Sequence, residues 1–309
     1  MGRMIEGRWT TEWYPSDAEG RFLREPTRFH GAIDPAGPHP PAAGRYHLYV
    51  SHACPWAHRT LILRALKGLE EALSVTVVDP HLTDDGWHFA EADPDPLQGA
   101  RFLREVYLAA DPRYTGRVTV PVLWDEEAGT LVNNESREIM RFLDHAFQDQ
   151  AAHPEVDLAP LDLLDEVERV LDAIYSPIND GVYRCGFAET QEAYDEAVEG
   201  LFEALEHWDG VLADQRFLCG DRMTEADVAL FTTLVRFDPV YYTHFKCNRK
   251  HIWELPNLWR LGRDVYETPG VAETVDFAQI KTHYYWSHDS LNPRRIVPSG
   301  PTRHLGAPG

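Results

Sequence analysis

Between Arg45 and Glu70 the chain reads RYHLYVSHACPWAHRTLILRALKGLE, and this stretch constrains the fold more than any other. Tyr46, Leu48 and Val50 form an alternating apolar run that predicts a strand. Leu61, Leu63, Leu66 and Leu69 then recur at helical spacing. Pro55 stands where that helix would begin, the one helical position at which a missing N–H costs nothing. Cys54 therefore falls just before the first turn, facing unpaired backbone N–H groups and the positive end of the helix dipole. That position favours the thiolate, the reactive form of cysteine. The plainer alternative is a small buried hydrophobe, as free cysteines commonly are. Three residues on stands Ala57 rather than a second cysteine. A thiol at this place has no neighbour in sequence to pair with, so its partner must come from a small molecule or another chain.

Around this unit the remaining elements fall into order. Residues 1–44, rich in Pro, Gly and charge, read as an extended lead-in, with Trp9, Trp13, Tyr14 and Phe22 available to pin it to the body. Ser74–Asp79 is short and β-branched, a buried strand that completes a βαβ unit with a right-handed crossover. Residues 80–116 form a long polar insertion of the kind that is functional or locally structured. Gly116–Asp125 and Thr130–Asn134 read as a hairpin. Pro121 demotes the first of these strands to an edge, or marks a cis peptide bond where the chain meets a ligand. Glu135-Ser136 opens a helix carrying Ile139, Phe142 and Leu143 on one face.

From about residue 157 the pattern turns helical. Leu161 to Ile174 predicts a long helix and Ala193 to Leu212 another; Thr224-Glu225-Ala226-Asp227 resembles a capping box, and Pro256 opens a short helix. The chain of 309 residues is long enough for two domains. Residues 45–150 read as an α/β domain, where a thiol would bind at Cys54, and 157–309 as an all-helical domain.

The net charge of −21 argues against nucleic acid and anionic membrane surfaces as partners, since both require a basic field. The same acidic excess would suit a salt-rich cytoplasm. Cys54, Cys185, Cys219 and Cys247 are scattered singly, which is neither a disulfide framework nor a zinc site, and His244 with Cys247 has no second pair to complete a metal site. No segment has the apolar length of a signal peptide core or membrane span, so a cytoplasmic location with reduced thiols is expected.

The order βαβ, insertion, ββα, with Cys-Pro at the first helix, a Val-Pro strand, Glu-Ser before the last helix and a helical second domain, resembles the glutathione transferase superfamily. Within it the chain is similar to the glutathionyl-hydroquinone reductases, or Xi-class glutathione transferases. The segments that carry this are Arg45–Glu70, GWHF at Gly86–Phe89, GRVTVPVLWDEEAGTLVNNESREI from Gly116, SPINDGVYRCGFA at Ser176–Ala188 and IKTHYYWSHDSLNPRRIVPSGP at Ile280–Pro301. The resemblance implies a thioredoxin-like N-terminal domain and an all-α C-terminal domain, whose tail folds back over the cleft. It also implies a homodimer, glutathione or a related γ-glutamyl thiol as co-substrate with no metal, and small aromatic hydroquinone conjugates as substrates. By resemblance Cys54 is the nucleophile, and Trp87 and Arg117 contact the tripeptide. Val120 offers its backbone to the cysteinyl part. Glu135 and Ser136 take the γ-glutamyl amine and carboxylate, and Tyr183 and Tyr284 line the hydroquinone pocket.

Each residue has a plainer role: Trp87 as an anchor of the insertion, Arg117 as a strand-end charge, Glu135-Ser136 as a helix cap, the two tyrosines as core aromatics. His58 and Arg59 in the first helical turn suit either a local anion or a solvated face. Two other functions fit the same architecture. One is a glutaredoxin-like thiol transferase acting on mixed disulfides. The other is a non-catalytic binding module, as in translation elongation factor subunits.

Overall fold

In the computed structural model, which describes residues 2–12 and 15–307, strand β3 (Tyr46–Val50) is buried at all five positions. Its alternation therefore marks two covered faces rather than one wet face. His47, the polar member, satisfies its Nδ1 on Ser74 Oγ at 2.7 Å and its Nε2 on Thr76 Oγ1 at 2.9 Å. Burial lowers its pKa to about 4, which keeps the ring neutral inside the sheet.

Two units are present: Met1–Tyr14 with Glu25–Val156, and Pro15–Arg24 with Asp157–Gly309. In the first, two short strands, β1 (Arg3–Ile5) and β2 (Arg8–Thr10), precede β3. Helix α1 (Pro55–Lys67) follows with Pro55 in its first turn, and Gly68 closes it in the left-handed conformation. Strand β4 (Leu73–Val77) pairs parallel with β3. The insertion is locally structured and carries α2 (Leu103–Ala110). The predicted strand Gly116–Asp125 is split into β5 (Gly116–Arg117) and β6 (Val122–Asp125), with the cis Val120–Pro121 bond between them. Strand β7 (Thr130–Asn133) and helix α3 (Ser136–His145) complete the unit.

The main sheet has the order β4-β3-β6-β7, so β6 is an inner strand and the edge reading of Pro121 is replaced by the cis one. Proline avoids the ladder by preceding β6.

The lead-in is more ordered than its composition suggests. β1 and β2 join β5 in a three-stranded sheet, β2-β1-β5. Trp9 donates Nε1–H to the Asp84 carbonyl at 2.8 Å and lies where any side chain at Gly86 would be, its ring 2.8 Å from a Cβ built there. Residues 29–31 run beside β7, with Gly31 N–H on the Val132 carbonyl at 2.9 Å and Asn134 N–H on that of Phe29 at 3.2 Å. Asp125 ties the rest down: its buried carboxylate accepts from His39 at 2.7 Å and from Arg45 at 2.9 and 2.6 Å. Trp13 and Tyr14, also expected to pin this segment, lie outside the described residues.

The second unit contains α4 (Leu164–Ile174), a π turn over Tyr175–Asn179, α5 (Gly181–Gly186), α6 (Gln191–Val211) and α7 (Glu225–Arg236). A second π turn over Phe237–Tyr241, the single turn α8 (Tyr242–His244), α9 (Pro256–Tyr266) and α10 (Phe277–Ser287) follow. Helix α4 is shorter than expected, with 11 residues. Leu161 is exposed, and the chain first turns from Pro160 to Leu163 through a backbone hydrogen bond of 2.9 Å. The capping box at Thr224 forms as read, Asp227 Oδ2 accepting from Thr224 N–H at 2.8 Å. Two isolated bridges, Ser16–Phe22 and Phe217–Gly220, are the β pairings among the described residues of this unit. No described helix is long and apolar enough to cross a membrane.

Candidate functional site

Sheet topology gathers the first unit's candidate residues at one end. Parallel β3 and β4 both finish there. Antiparallel β6 begins there, Val122 lying opposite Tyr49. Strand β7, antiparallel to β6, ends there at Asn133. Cys54, Val120 and the pair Glu135-Ser136 are the residues that leave or enter these strands.

Cys54 is the N-cap of α1, with extended backbone (φ −77°, ψ 120°), and its carbonyl accepts the His58 N–H at 3.0 Å. Its half-buried Sγ lies 3.5 Å from the Val120 carbonyl oxygen. One turn into α1, Arg59 is buried rather than on a solvated face. It donates Nη1–H to Ser136 Oγ at 3.4 Å and its guanidinium lies 4.8 Å from the Trp56 ring centre. A cation thus links the cysteine helix to the N-terminus of α3, which resolves the two readings of this turn against solvation.

Glu135 is the N-cap of α3, and its carboxylate accepts the Arg137 N–H at 3.2 Å. The other oxygen accepts from Thr27 Oγ1, also at 3.2 Å, so the lead-in fixes this side chain. Capping leaves carboxylate lone pairs for a further donor. A helix N-terminus beside a serine hydroxyl offers an anion N–H groups and a favourable dipole.

Tyr107 of α2 holds the two loops in register. Fully buried, it donates its hydroxyl to the Thr119 carbonyl at 2.8 Å and accepts from Asn134 Nδ2 at 3.0 Å, one link beside Val120 and the other beside Glu135. Its phenol is pushed up by burial, so it remains a donor. Nothing in the sequence distinguishes this tyrosine from other helical aromatics.

Trp87 is buried, and its carbonyl accepts the Leu103 N–H at 3.0 Å. Its neighbour His88 accepts the Asp79 N–H at 2.9 Å, which brings the insertion back to the end of β4. Arg117 sits in β5 opposite Arg3, on the smaller sheet and three residues ahead of Val120.

The second unit brings its two candidate tyrosines into contact. Tyr183 Oη of α5 lies 2.6 Å from Tyr284 Oη of α10, and Tyr284 Oη lies 2.9 Å from Tyr241 Oη. Tyr284 is only 1% exposed, so it is the middle of a buried phenol chain rather than an open wall; Tyr183 is the half-buried end. Burial, first, and the neighbouring phenols push Tyr284 well above the ordinary tyrosine range. Tyr241, at the close of the second π turn, is the member the sequence reading missed; the run VYYTHF gave no sign of which tyrosine points inward.

The chain is similar to known proteins in sequence and in fold. Family models for the glutathione S-transferase N-terminal domain and C-terminal domain match residues 53–146 and 191–261. The glutathionyl-hydroquinone reductase PcpF of Sphingobium chlorophenolicum is 48% identical, over 99% of this chain and 98% of that protein. A solved Xi-class glutathione transferase from Natrialba magadii superposes with a TM-score of 0.94 at 53% identity, covering 100% of this chain and 96% of that one. The glutathione-bound structure of YqjG, a glutathione transferase homologue from Escherichia coli K-12, gives 0.88 at 44% identity, over 98% and 96% of the two chains. The chain belongs to the glutathionyl-hydroquinone reductases, the Xi class of the glutathione transferases.

Proposed function

We propose that the protein removes glutathione from glutathionyl-hydroquinones, with Cys54 as the nucleophile. One observation carries this: of the four cysteines, three are buried and Cys54 alone is accessible, at a helix N-terminus that favours its thiolate. The Cys54 thiolate attacks the glutathione sulfur, and an S–S bond forms as the aromatic C–S bond breaks. The ring carbon keeps that electron pair and takes a proton, giving the hydroquinone. A second glutathione, as its thiolate, attacks the glutathione sulfur of the mixed disulfide. Oxidised glutathione leaves and the Cys54 thiolate returns. No second protein thiol is needed.

In this scheme Val120 pairs by its backbone with the cysteinyl part of glutathione. Glu135 takes the γ-glutamyl amine, Ser136 and the α3 N-terminus take the carboxylate, and Trp87 and Arg117 hold the remainder. A related γ-glutamyl thiol satisfies the same groups. Tyr183, backed by Tyr284, hydrogen-bonds the phenol of the leaving hydroquinone, with the C-terminal tail folded back to complete the substrate site. The protein acts as a cytoplasmic homodimer, an assembly that light scattering of the purified protein checks.

Cys54→Ala should abolish turnover on a glutathionyl-hydroquinone with little change in melting temperature, because alanine fits the same space. Replacing Cys185, Cys219 and Cys247 together should leave most of it. After exposure to oxidised glutathione, mass spectrometry should find the adduct on Cys54. Substantial reductase activity in Cys54→Ala would sink the mechanism.

A further inference from the structure

The segment Pro15–Arg24 belongs with the helical unit although its neighbours in sequence on both sides belong with the other. It is fastened closely. Ser16 Oγ donates to Glu189 at 2.8 Å, Glu189 N–H to the Gly20 carbonyl at 3.0 Å, and Thr190 Oγ1 to the Glu19 carbonyl at 2.8 Å. Arg21 pairs with Glu196 at 2.9 Å, and the buried Phe22 ring lies 5.5 Å from that of Phe187. So many attachments in ten residues deliver one side chain, Arg24, to a defined place.

There the Arg24 Nε–H donates to Asp180 Oδ1, and the Asp180 carbonyl in turn accepts the Tyr183 N–H at 2.9 Å. The guanidinium carbon stands 4.8 Å from the centre of the Tyr183 ring and 5.3 Å from that of Phe22. The ion pair is largely shielded, its side chains 15% and 12% exposed, so water screens it little. At the far end of the same ring, the hydroxyl meets Tyr284.

We propose that Arg24 is a positioning residue for Tyr183: anchored on Asp180, its guanidinium holds the ring from one face and strengthens the phenolic O–H as a hydrogen-bond donor to the departing hydroquinone. A cation over an aromatic face is attracted more strongly the more electron-rich the ring, and so favours the phenolate-like character that a good donor acquires. The charged and titratable groups around Tyr183 that bear on this are Arg24, Asp180 and Tyr284, with Tyr241 and Arg236 acting behind Tyr284. The inference rests on the role given to Tyr183 above.

The test uses the full chain with Arg24→Gln, Arg24→Lys, Tyr183→Phe and the Arg24→Gln/Tyr183→Phe pair. Arg24→Gln should lower kcat on a glutathionyl-hydroquinone about tenfold while moving KM for glutathione little. Arg24→Lys, which keeps the charge, should restore part of the loss and guards against a glutamine variant that merely folds poorly. In the Tyr183→Phe background Arg24→Gln should cost nothing more. Absorbance of tyrosinate on raising the pH should show one transition that Tyr183→Phe lacks, moved to higher pH by Arg24→Gln. An unmoved transition, or an equal loss of kcat with Tyr183 already removed, overturns the proposal. Full turnover in Tyr183→Phe alone defeats the role of Tyr183 instead, and the transition still decides whether Arg24 acts on that ring.

Discussion

Tyr284→Phe removes the middle oxygen of three. Two hydrogen bonds go with it, at 2.6 and 2.9 Å, and the hydroxyl of the fully buried Tyr241 loses a partner. Each lost bond costs about 0.5–1.5 kcal/mol net. Tyr284→Phe should therefore destabilise the protein by about 1–3 kcal/mol. Tyr183→Phe removes one bond at the half-buried end and should cost about 1 kcal/mol. At about 2–4 °C per kcal/mol the two variants should melt lower by roughly 2–12 °C and 2–4 °C respectively. Activity should follow a different order, because both changes disturb the phenol that meets the substrate. The double variant should lose roughly tenfold or more in turnover on glutathionyl-hydroquinones, equivalent to about 1.4 kcal/mol or more. Since Tyr284 acts through Tyr183, the two single losses should not add. Turnover on a small glutathione mixed disulfide, which has no phenol to hold, is the control and should change little. Equal losses on both substrates would place these tyrosines in the thiol site or the core; no loss on either would remove them from the mechanism.

Iodoacetamide alkylation of Cys54, followed against pH, should show a midpoint below the ~8.5 of a free thiol, because the α1 N-terminus stabilises the thiolate; a midpoint at or above that value refutes activation by position. Asp125 should make stability depend on acid. Burial pushes its carboxyl up, but hydrogen bonds from Arg45, His39 and the Ala128 N–H outweigh it and bring the pKa down to about 2. With an unfolded value of about 3.9, its stabilisation, about 2 kcal/mol, is complete above pH 4 and lost as pH falls toward 2. Urea melts across that range should show the loss, and Asp125→Asn should be less stable at pH 7 with a flatter acid limb. An acid limb unchanged in Asp125→Asn would refute the assignment.

Strand, Cys-Pro and helix were legible because three local rules agree there: period two, proline at the first helical position and period 3.6. Glu135-Ser136 was legible for a similar reason, a cap followed by an amphipathic helix. The groups that hold those residues in place were not. Tyr107, Tyr241 and Arg24 act through contacts with residues far away in sequence, Arg24 sits in a segment whose Pro, Gly and charge read as an extended lead-in, and Arg59 was open between an anion and a solvated face. Pro121 shows the same limit: composition left two meanings open, and only the strand order chose between them. Tyr183 and Tyr284 meet, but the burial of Tyr284 at the middle of a chain depends on tertiary packing that no local pattern encodes.

The attachment of Arg24 to Asp180 spans 156 residues, and that of β1 to β5 more than a hundred. During synthesis the first of these segments to emerge must therefore wait for the last of their partners. At about 5–20 residues per second, Arg24 is outside the ribosome for on the order of ten seconds or more before Asp180 exists. Until then Phe22 lacks its native neighbour Phe187, although Trp9 can already meet Asp84 and β1 can pair with β5. Pro15 and Pro26, which flank the segment, suit that wait, because proline-broken chain does not pair readily with other strands. Prolines that look like spacer in the sequence would, while the protein is being made, guard the waiting segment against premature association.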